Sequence, residues 1–274
     1  MSKTILIPTD FSKVCNNAIN HGAEIASHIG ARLVIIHVIN NESLHYLKRN
    51  NLDAHFIDRH LNEIRDELEK AYNITVLAFK REGKLIETIA EISREVYADL
   101  ILLGTHGMTG LQVITGSHAM KVIREVDVPV LVIQKRTFGM GYRKIVFPIH
   151  VSTDYNIKID WTLFIANTFK SEVLVYVMKP IDQKQEIGLR QLTDRVSAVF
   201  DAHHIAFSLH YASKDKDFPE QINQFAMEQN ADLIMIKVDD DEFEPSFILG
   251  AIEEKMIFNS SQIPVFCAQK KADE

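Results

Sequence analysis

A glycine-rich segment in the first half of the chain has the residue types of a phosphate-binding site. The apolar run Leu100–Leu103 is followed by Gly104-Thr105-His106-Gly107, and a second small pair, Gly116-Ser117, opens an amphipathic stretch. Glycines directly after a strand let the backbone approach a ligand closely, and free amides at a helix start suit an anion. The spacing therefore predicts a phosphate cradle at the carboxyl end of a strand.

Asp10 is the candidate partner of this cradle. It follows the short apolar segment Thr4–Pro8, and Val38 ends the next apolar segment. If the first and fourth strands are neighbours, Asp10 faces the glycine turn and can accept hydrogen bonds from a ribose or a base, with Val38 as an apolar wall. The alternative is a local role, since an aspartate after a strand often forms an Asx-turn or caps a helix.

Several histidines invite a chemical role. His106 and His118 flank the cradle, where they either make charge-assisted contacts to phosphate or, for His106, only fill a tight turn. We expect His37 to be a packed, hydrogen-bonded residue of the second strand. His203 and His204 are expected to lie on a strand and point to opposite faces, an arrangement that does not favour a shared metal ion.

The pattern of elements around these residues is βαβαβαβαβ. Buried apolar strands alternate with amphipathic helices, which predicts a doubly wound parallel α/β domain whose ligand lies at the switch point of strand order. Ser12 is the expected N-cap of a helix that ends at Gly30. A longer helical stretch, Ser43–Tyr72, is expected to break near Asn50-Asn51, and a third strand is expected at Ile74–Phe79.

The second half of the chain repeats the first. Four apolar segments recur in order about 133 to 140 residues later, so we predict two five-stranded domains in tandem, at residues 1–136 and 143–274, joined by a linker at 137–142. The cradle is lost in the second copy: His150 replaces Asp10, and Lys237-Val238-Asp239-Asp240 replaces the glycine turn. An acidic run repels phosphate, and it is either a solvated loop or a site for a divalent cation.

Composition excludes several classes of function. A formal net charge of -7, with no block of Lys or Arg, argues against binding to nucleic acid, and no apolar run reaches bilayer length. Cys15 and Cys267 show no metal-ligand spacing, so reduced thiols and no metal are expected. The first residues lead straight into a strand, which favours a cytoplasmic protein without a signal peptide. No Walker A, nucleophile-elbow or zincin motif is present, so an enzyme is not favoured beyond a slow ATPase.

These motifs resemble those of the universal stress proteins in their tandem, two-domain form. That family is marked by a first strand ending in Pro-x-Asp and by G-x2-G-x9-G-[S/T], which correspond here to Pro8-Thr9-Asp10 and to Gly104, Gly107 and Gly116-Ser117. Eight residues instead of nine separate the last two glycine positions. The shorter loop either crowds the phosphates, or a local change in the backbone near Gly110 compensates for the missing residue.

The resemblance implies a Rossmann-like fold of the adenine nucleotide alpha hydrolase type, with ATP as a regulatory ligand, and leaves open whether Mg²⁺ accompanies it. Leu103 and Gly104 would pass beneath the ribose, and the later glycines and Ser117 would hold phosphates. The full candidate set is Pro8, Thr9, Asp10, Val38, Leu103, Gly104, Thr105, His106, Gly107, Gly116, Ser117 and His118.

The family also contains members that bind no ATP, which leaves open an interaction module that acts through protein association. In the resemblance the last strands, Val130–Ile133 and Val265–Cys267, lie at sheet edges. Unpaired apolar edges need a partner, so the two domains are expected to form an intramolecular pseudo-dimer, and a homodimer stays open.

Overall fold

The computed structural model describes residues 3–49, 51, 53, 55–105, 116–150, 155–214, 217–238, 259 and 261–269. The described residues divide into two compact units, one ending at Phe138 and the other starting at Gly139. This division falls inside the segment predicted as a linker. The domain bounds 1–136 and 143–274 themselves stay a prediction.

The first unit is a parallel sheet with helices between successive strands. Its described elements, in chain order, are β1 (Thr4–Pro8), α1 (Lys13–Ile29), β2 (Arg32–Ile39), α2 (Asn41–Arg49), α3 (Phe56–Tyr72), β3 (Val76–Glu82), α4 (Leu85–Glu95), β4 (Leu100–Gly104), α5 (Gly116–Glu125) and β5 (Val130–Ile133). The strand order is β3-β2-β1-β4-β5.

The second unit has the same plan. Its described elements are β6 (Lys144–Ile149), α6 (Asn156–Phe169), β7 (Glu172–Val177), α7 (Gln183–Ala202), β8 (Ala206–Tyr211), α8 (Phe218–Glu228), β9 (Leu233–Lys237) and β10 (Val265–Ala268). Its strands follow the order β10-β9-β6-β7-β8, again with every described pair parallel. The predicted fold class, two doubly wound parallel α/β units, is confirmed.

The burial pattern explains why these segments are strands. Every residue of β1 and β4 is buried, as expected for central strands covered by helices on both faces, and every residue of β5 is buried as well. The helix signals were also correct. Ser12 caps α1 by accepting a hydrogen bond from the Cys15 backbone N–H, and Gly30 ends the helix in the left-handed conformation with φ 67°.

Two local predictions needed correction. The third strand begins at Val76 and extends to Glu82, later than predicted, because it pairs with β2 along its whole length. The expectation that His203 and His204 lie on a strand is wrong. His203 is the C-cap of α7, and His204 adopts a turn conformation with φ 56° before β8 begins. None of the helices in the described ranges is both long and apolar enough to cross a membrane.

Candidate functional site

The switch point of the first unit lies between β1 and β4. The chain leaves β1 into α1, which packs with α3, and leaves β4 towards α5, which packs with α4. In the register of the two strands Leu6 is opposite Ile101, so the strand ends that lead to Asp10 and to Thr105 lie side by side. Neighbouring connections that leave to opposite faces open a crevice at this edge of the sheet, which is where such folds bind ligands.

Asp10 has one oxygen engaged locally and one that is not. Its Oδ1 accepts a hydrogen bond from the Ser12 backbone N–H at 2.8 Å, which is the Asx-turn of the local alternative. Its Oδ2 is buried and has no hydrogen-bond partner among the described residues. The Asx-turn therefore uses only one oxygen of Asp10. It orients the carboxylate and leaves the second oxygen without a hydrogen bond to any described residue.

Thr105, across the switch point, has a second buried oxygen without a hydrogen-bond partner among the described residues. The residue is 1% exposed, and its Oγ1 has no partner in the described part of the chain. Its backbone N–H donates to the Ile133 carbonyl at 2.8 Å, which fixes the residue at the end of β4. An unpaired buried hydroxyl or carboxylate costs about 1–3 kcal/mol, so two at neighbouring strand ends point to a ligand.

The turn that carries Asp10 is fixed by side chains on either side of it. The Thr9 hydroxyl accepts a hydrogen bond from the Phe11 backbone N–H at 3.0 Å, and Thr9 is itself buried. Phe11 adopts φ 63°, a left-handed conformation that is uncommon for a residue with a large side chain. This strain is held in place by the Asx-turn and the Ser12 cap, so the carboxylate of Asp10 has a defined direction.

Gly104 is required by packing in this structure. A Cβ at this position would lie 2.8 Å from the Cys15 Cα and 2.8 Å from the Val14 carbonyl oxygen, so β4 meets the backbone of α1 directly. Leu103, beside it, is fully buried. The family resemblance places Leu103 and Gly104 beneath a ribose, and that role stays a prediction. The close approach of β4 to α1 is a second reason for a glycine at position 104.

His37 is the packed histidine that the sequence predicted. One ring nitrogen lies 2.8 Å from the Thr9 carbonyl oxygen and the other 3.2 Å from the Ser43 hydroxyl. Its ring stacks on Phe11 with centroids 4.8 Å apart and an interplanar angle of 9°. Burial lowers the pKa of His37, so the ring is neutral near pH 7. Val38, the next residue, is also buried.

Cys15 lies beneath this turn and is chemically inert there. The residue is 1% exposed. Burial, followed by the nearby Asp10 carboxylate, raises the pKa of its thiol well above the ordinary value. A neutral, buried thiol is a poor nucleophile and a poor metal ligand. Within the described ranges no group of three or more His, Cys, Asp or Glu side chains could hold a metal ion.

The phosphate half of the candidate site is described in part. His106 and Gly107 lie outside the described residues. The helix α5 begins at Gly116, includes Ser117, and places His118 in its first turn with intermediate exposure. The first turn of α5 carries no acidic residue. Its N-terminal amides and positive dipole end therefore favour an anion.

The corresponding strand end of the second unit is filled by its own side chains. The Tyr155 hydroxyl accepts from the His150 backbone N–H at 2.9 Å and donates to the His150 carbonyl at 2.8 Å. The buried Lys158 ammonium donates to the Pro148 carbonyl at 2.5 Å and lies 4.1 Å from the centre of the Phe147 ring. No motif in the sequence predicts this cluster, because it depends on where α6 packs. The acidic run at 239–244 lies outside the described residues.

Comparisons with known proteins point to one family. The model of the Universal stress protein family matches residues 1–134. Universal stress protein MJ0531 of Methanocaldococcus jannaschii is 31% identical over 140 residues, covering 48% of this chain and 82% of that protein. Universal stress protein MJ0577 of the same organism is 26% identical over 160 residues, covering 50% and 97%.

The fold of the whole chain is found in a solved structure as well. A universal stress protein from Archaeoglobus fulgidus matches with a TM-score of 0.75 and 18% identity, covering 99% of this chain and 100% of that one. At this identity the likeness shows the fold alone. The fold and its switch-point crevice thus define a tandem, doubly wound α/β protein. The chain belongs to the universal stress protein family.

Proposed function

We propose that this chain is a cytoplasmic stress-response protein whose first unit binds ATP as a regulatory ligand. The observation that carries the proposal is the pair of buried, unpartnered oxygens, Asp10 Oδ2 and Thr105 Oγ1, at the switch point. Such a pair is costly without a ligand, and it lies at the strand ends beside the crevice in which this fold class binds nucleotides.

Each part of the site has a proposed task. Asp10 Oδ2 accepts a hydrogen bond from a ribose hydroxyl, and the Thr105 hydroxyl donates to an oxygen of the ligand. The amides at Gly116 and Ser117, at the start of α5, face the phosphates, together with the glycine turn at Gly104 and Gly107. Bound ATP changes the protein surface at this edge of the sheet. A partner protein that binds this surface can therefore distinguish the ATP-bound form from the free form.

Isothermal titration with ATP tests the proposal. We expect one ATP per chain for the wild type. Asp10→Asn keeps the Oδ1 acceptor for Ser12 but replaces the free oxygen with an amino group, so affinity should fall roughly 10-fold to 100-fold, the effect of a hydrogen bond to a charged group. Asp182→Asn is the matched control, because that carboxylate only caps α7 by accepting from Gln185 N–H.

Two results would contradict the proposal. Absence of heat at millimolar ATP and ADP would favour the interaction module, and equal affinity of wild type and Asp10→Asn would place the nucleotide elsewhere. Light scattering of the same samples, with and without ATP, tests the homodimer that the family resemblance leaves open. A mass of one chain in both conditions would exclude it.

A further inference from the structure

The two units differ at the outer strands of their sheets. In the first unit β3 pairs with β2, in the second unit β8 pairs with β7, and the described strands include no partner on the other side of either. An edge strand presents unpaired backbone N–H and C=O groups, which can pair with a strand of another chain. Natural proteins protect such edges with charged side chains, prolines, bulges or a covering element.

The edge of β3 is protected in two ways. The second half of the strand carries the charged residues Lys80, Arg81 and Glu82. At its start, the Val76 backbone N–H donates to the Glu69 carboxylate at 3.1 Å. A second strand placed beside β3 would therefore meet charged side chains and a backbone donor that is already in use.

The edge of β8 has neither protection in the described structure. The strand reads Ala-Phe-Ser-Leu-His-Tyr over residues 206–211, without Lys, Arg, Asp, Glu or Pro. It pairs with β7 in continuous register, so no bulge interrupts it. Leu209 is 39% exposed and Tyr211 is 66% exposed. An uncharged edge strand with exposed apolar side chains favours pairing with another chain.

The outward backbone groups of β8 belong to alternate residues. The Ala212 backbone N–H donates to the Val177 carbonyl of β7 at 2.8 Å, so the even-numbered residues direct their backbone groups towards β7. Phe207, Leu209 and Tyr211 therefore direct their N–H and C=O groups outward, since this direction alternates along a strand. No hydrogen bond from another described residue reaches these outward groups.

A second copy of β8 matches these outward groups in one antiparallel register. When Leu209 lies opposite Leu209 of the second copy, Phe207 lies opposite Tyr211. Each of these pairs exchanges both backbone hydrogen bonds, because all three residues point outward. The register therefore uses every outward backbone group of the strand and covers the two exposed apolar side chains.

The side chains are compatible with the same register. A residue on the two-fold axis lies opposite its own copy, where a charged side chain would be repelled by the like charge. The residue on this axis is the apolar Leu209. Ser208 then lies opposite His210 of the second copy, and within one strand the Ser208 hydroxyl already lies 3.0 Å from His210 Nε2. Hydroxyl and imidazole can form the same hydrogen bond between copies.

We propose that the edge of β8 is a homodimer interface, in which β8 strands of two chains pair antiparallel about Leu209. The occupant is a second copy of this chain, because the strand complements itself in backbone groups, side chains and charge. The inference does not depend on ATP, and it gives the second unit a task that the proposed function does not assign. A six-residue strand on each side makes a small interface, so we expect a micromolar dissociation constant.

Analytical ultracentrifugation of the full chain tests the proposal. Over about 1 to 300 μM the wild-type mass should rise from one chain towards two, as a micromolar dissociation constant requires. Leu209→Lys puts two like charges on the axis and should raise the dissociation constant roughly 100-fold or more. Leu77→Lys is the matched control, because it makes the same change at an exposed leucine of β3 and should leave dimerisation unchanged.

A mixture of Leu209→Lys and Leu209→Glu tests the register. Each variant alone should stay a single chain over the same concentrations. The mixture should form a dimer with one chain of each kind, because opposite charges then meet at the axis. A variant that had lost its fold would not recover on mixing.

The outcomes decide the proposal. A wild type that stays a single chain at the highest concentration overturns it, and so does a dimer that Leu209→Lys does not weaken. A mixture that remains monomeric overturns the pairing about Leu209. Loss of the dimer in each variant, its recovery in the mixture and an unchanged Leu77→Lys dimer support the interface.

Discussion

Replacing Thr105 by valine separates two effects of its hydroxyl: the loss of stability without a ligand, and the contribution to ATP binding. Valine has the shape of threonine without the hydroxyl, and the Thr105 Oγ1 is buried without a partner in the described structure. Removing an unsatisfied buried polar group recovers about 1–3 kcal/mol. The ligand-free variant should therefore be more stable than the wild type, the reverse of what most substitutions in a core do.

The same change should reduce stabilisation by ATP. At a free concentration of 100 times Kd, a ligand raises the free energy of unfolding by about 2.7 kcal/mol. If the lost hydrogen bond weakens binding about tenfold, the same ATP concentration stabilises the variant by only about 1.4 kcal/mol. Urea unfolding of both proteins, with and without ATP, measures all four free energies.

Thr193→Val is the matched control. The Thr193 hydroxyl is also buried, but it donates to the Leu189 carbonyl at 2.7 Å. Its removal should destabilise the protein by about 1 kcal/mol and leave the ATP effect unchanged. A ligand-free Thr105→Val protein that is less stable than the wild type, with an undiminished gain from ATP, would refute the reasoning.

Four further substitutions test packing in the first unit and backbone conformation in the second. Burial holds the pKa of His21 at about 4, so the unfolded chain binds its proton first, and stability should fall by about 3 kcal/mol between about pH 6.5 and about pH 4. His21→Gln should flatten that part of a pH series of urea unfolding. Gly104→Ala should destabilise by about 1–3 kcal/mol through its clash with the α1 backbone, whereas Gly188→Ala, which meets nothing within 4 Å, should stabilise by up to about 1 kcal/mol. His204→Gly should raise the thermal midpoint, because φ 56° costs a residue with a Cβ about 1–2 kcal/mol.

The features that the sequence predicted correctly depend on local chemistry. Ser12 and Gly30 bound α1 because a hydroxyl and a missing Cβ satisfy helix ends wherever they occur. The parallel strands follow from apolar runs between amphipathic helices. His37 was recognised as packed because it interrupts such a run, and a polar residue there needs internal partners.

The features that the sequence did not predict depend on contacts between distant segments. The left-handed Phe11 and its stack on His37 join residues 26 positions apart, which no local sequence pattern predicts. The pairing of the last strands of the two units stays a prediction.

The two units satisfy the same strand end in opposite ways. In the second unit the Tyr155 hydroxyl bonds both backbone groups of His150, and Lys158 bonds the Pro148 carbonyl. In the first unit the corresponding turn leaves Asp10 Oδ2 without a described partner. In the second unit, side chains of the protein itself therefore satisfy the polar groups at this strand end. The unsatisfied carboxylate in the other copy fits the nucleotide site that we propose, because unsatisfied polar groups in native proteins are concentrated at functional sites.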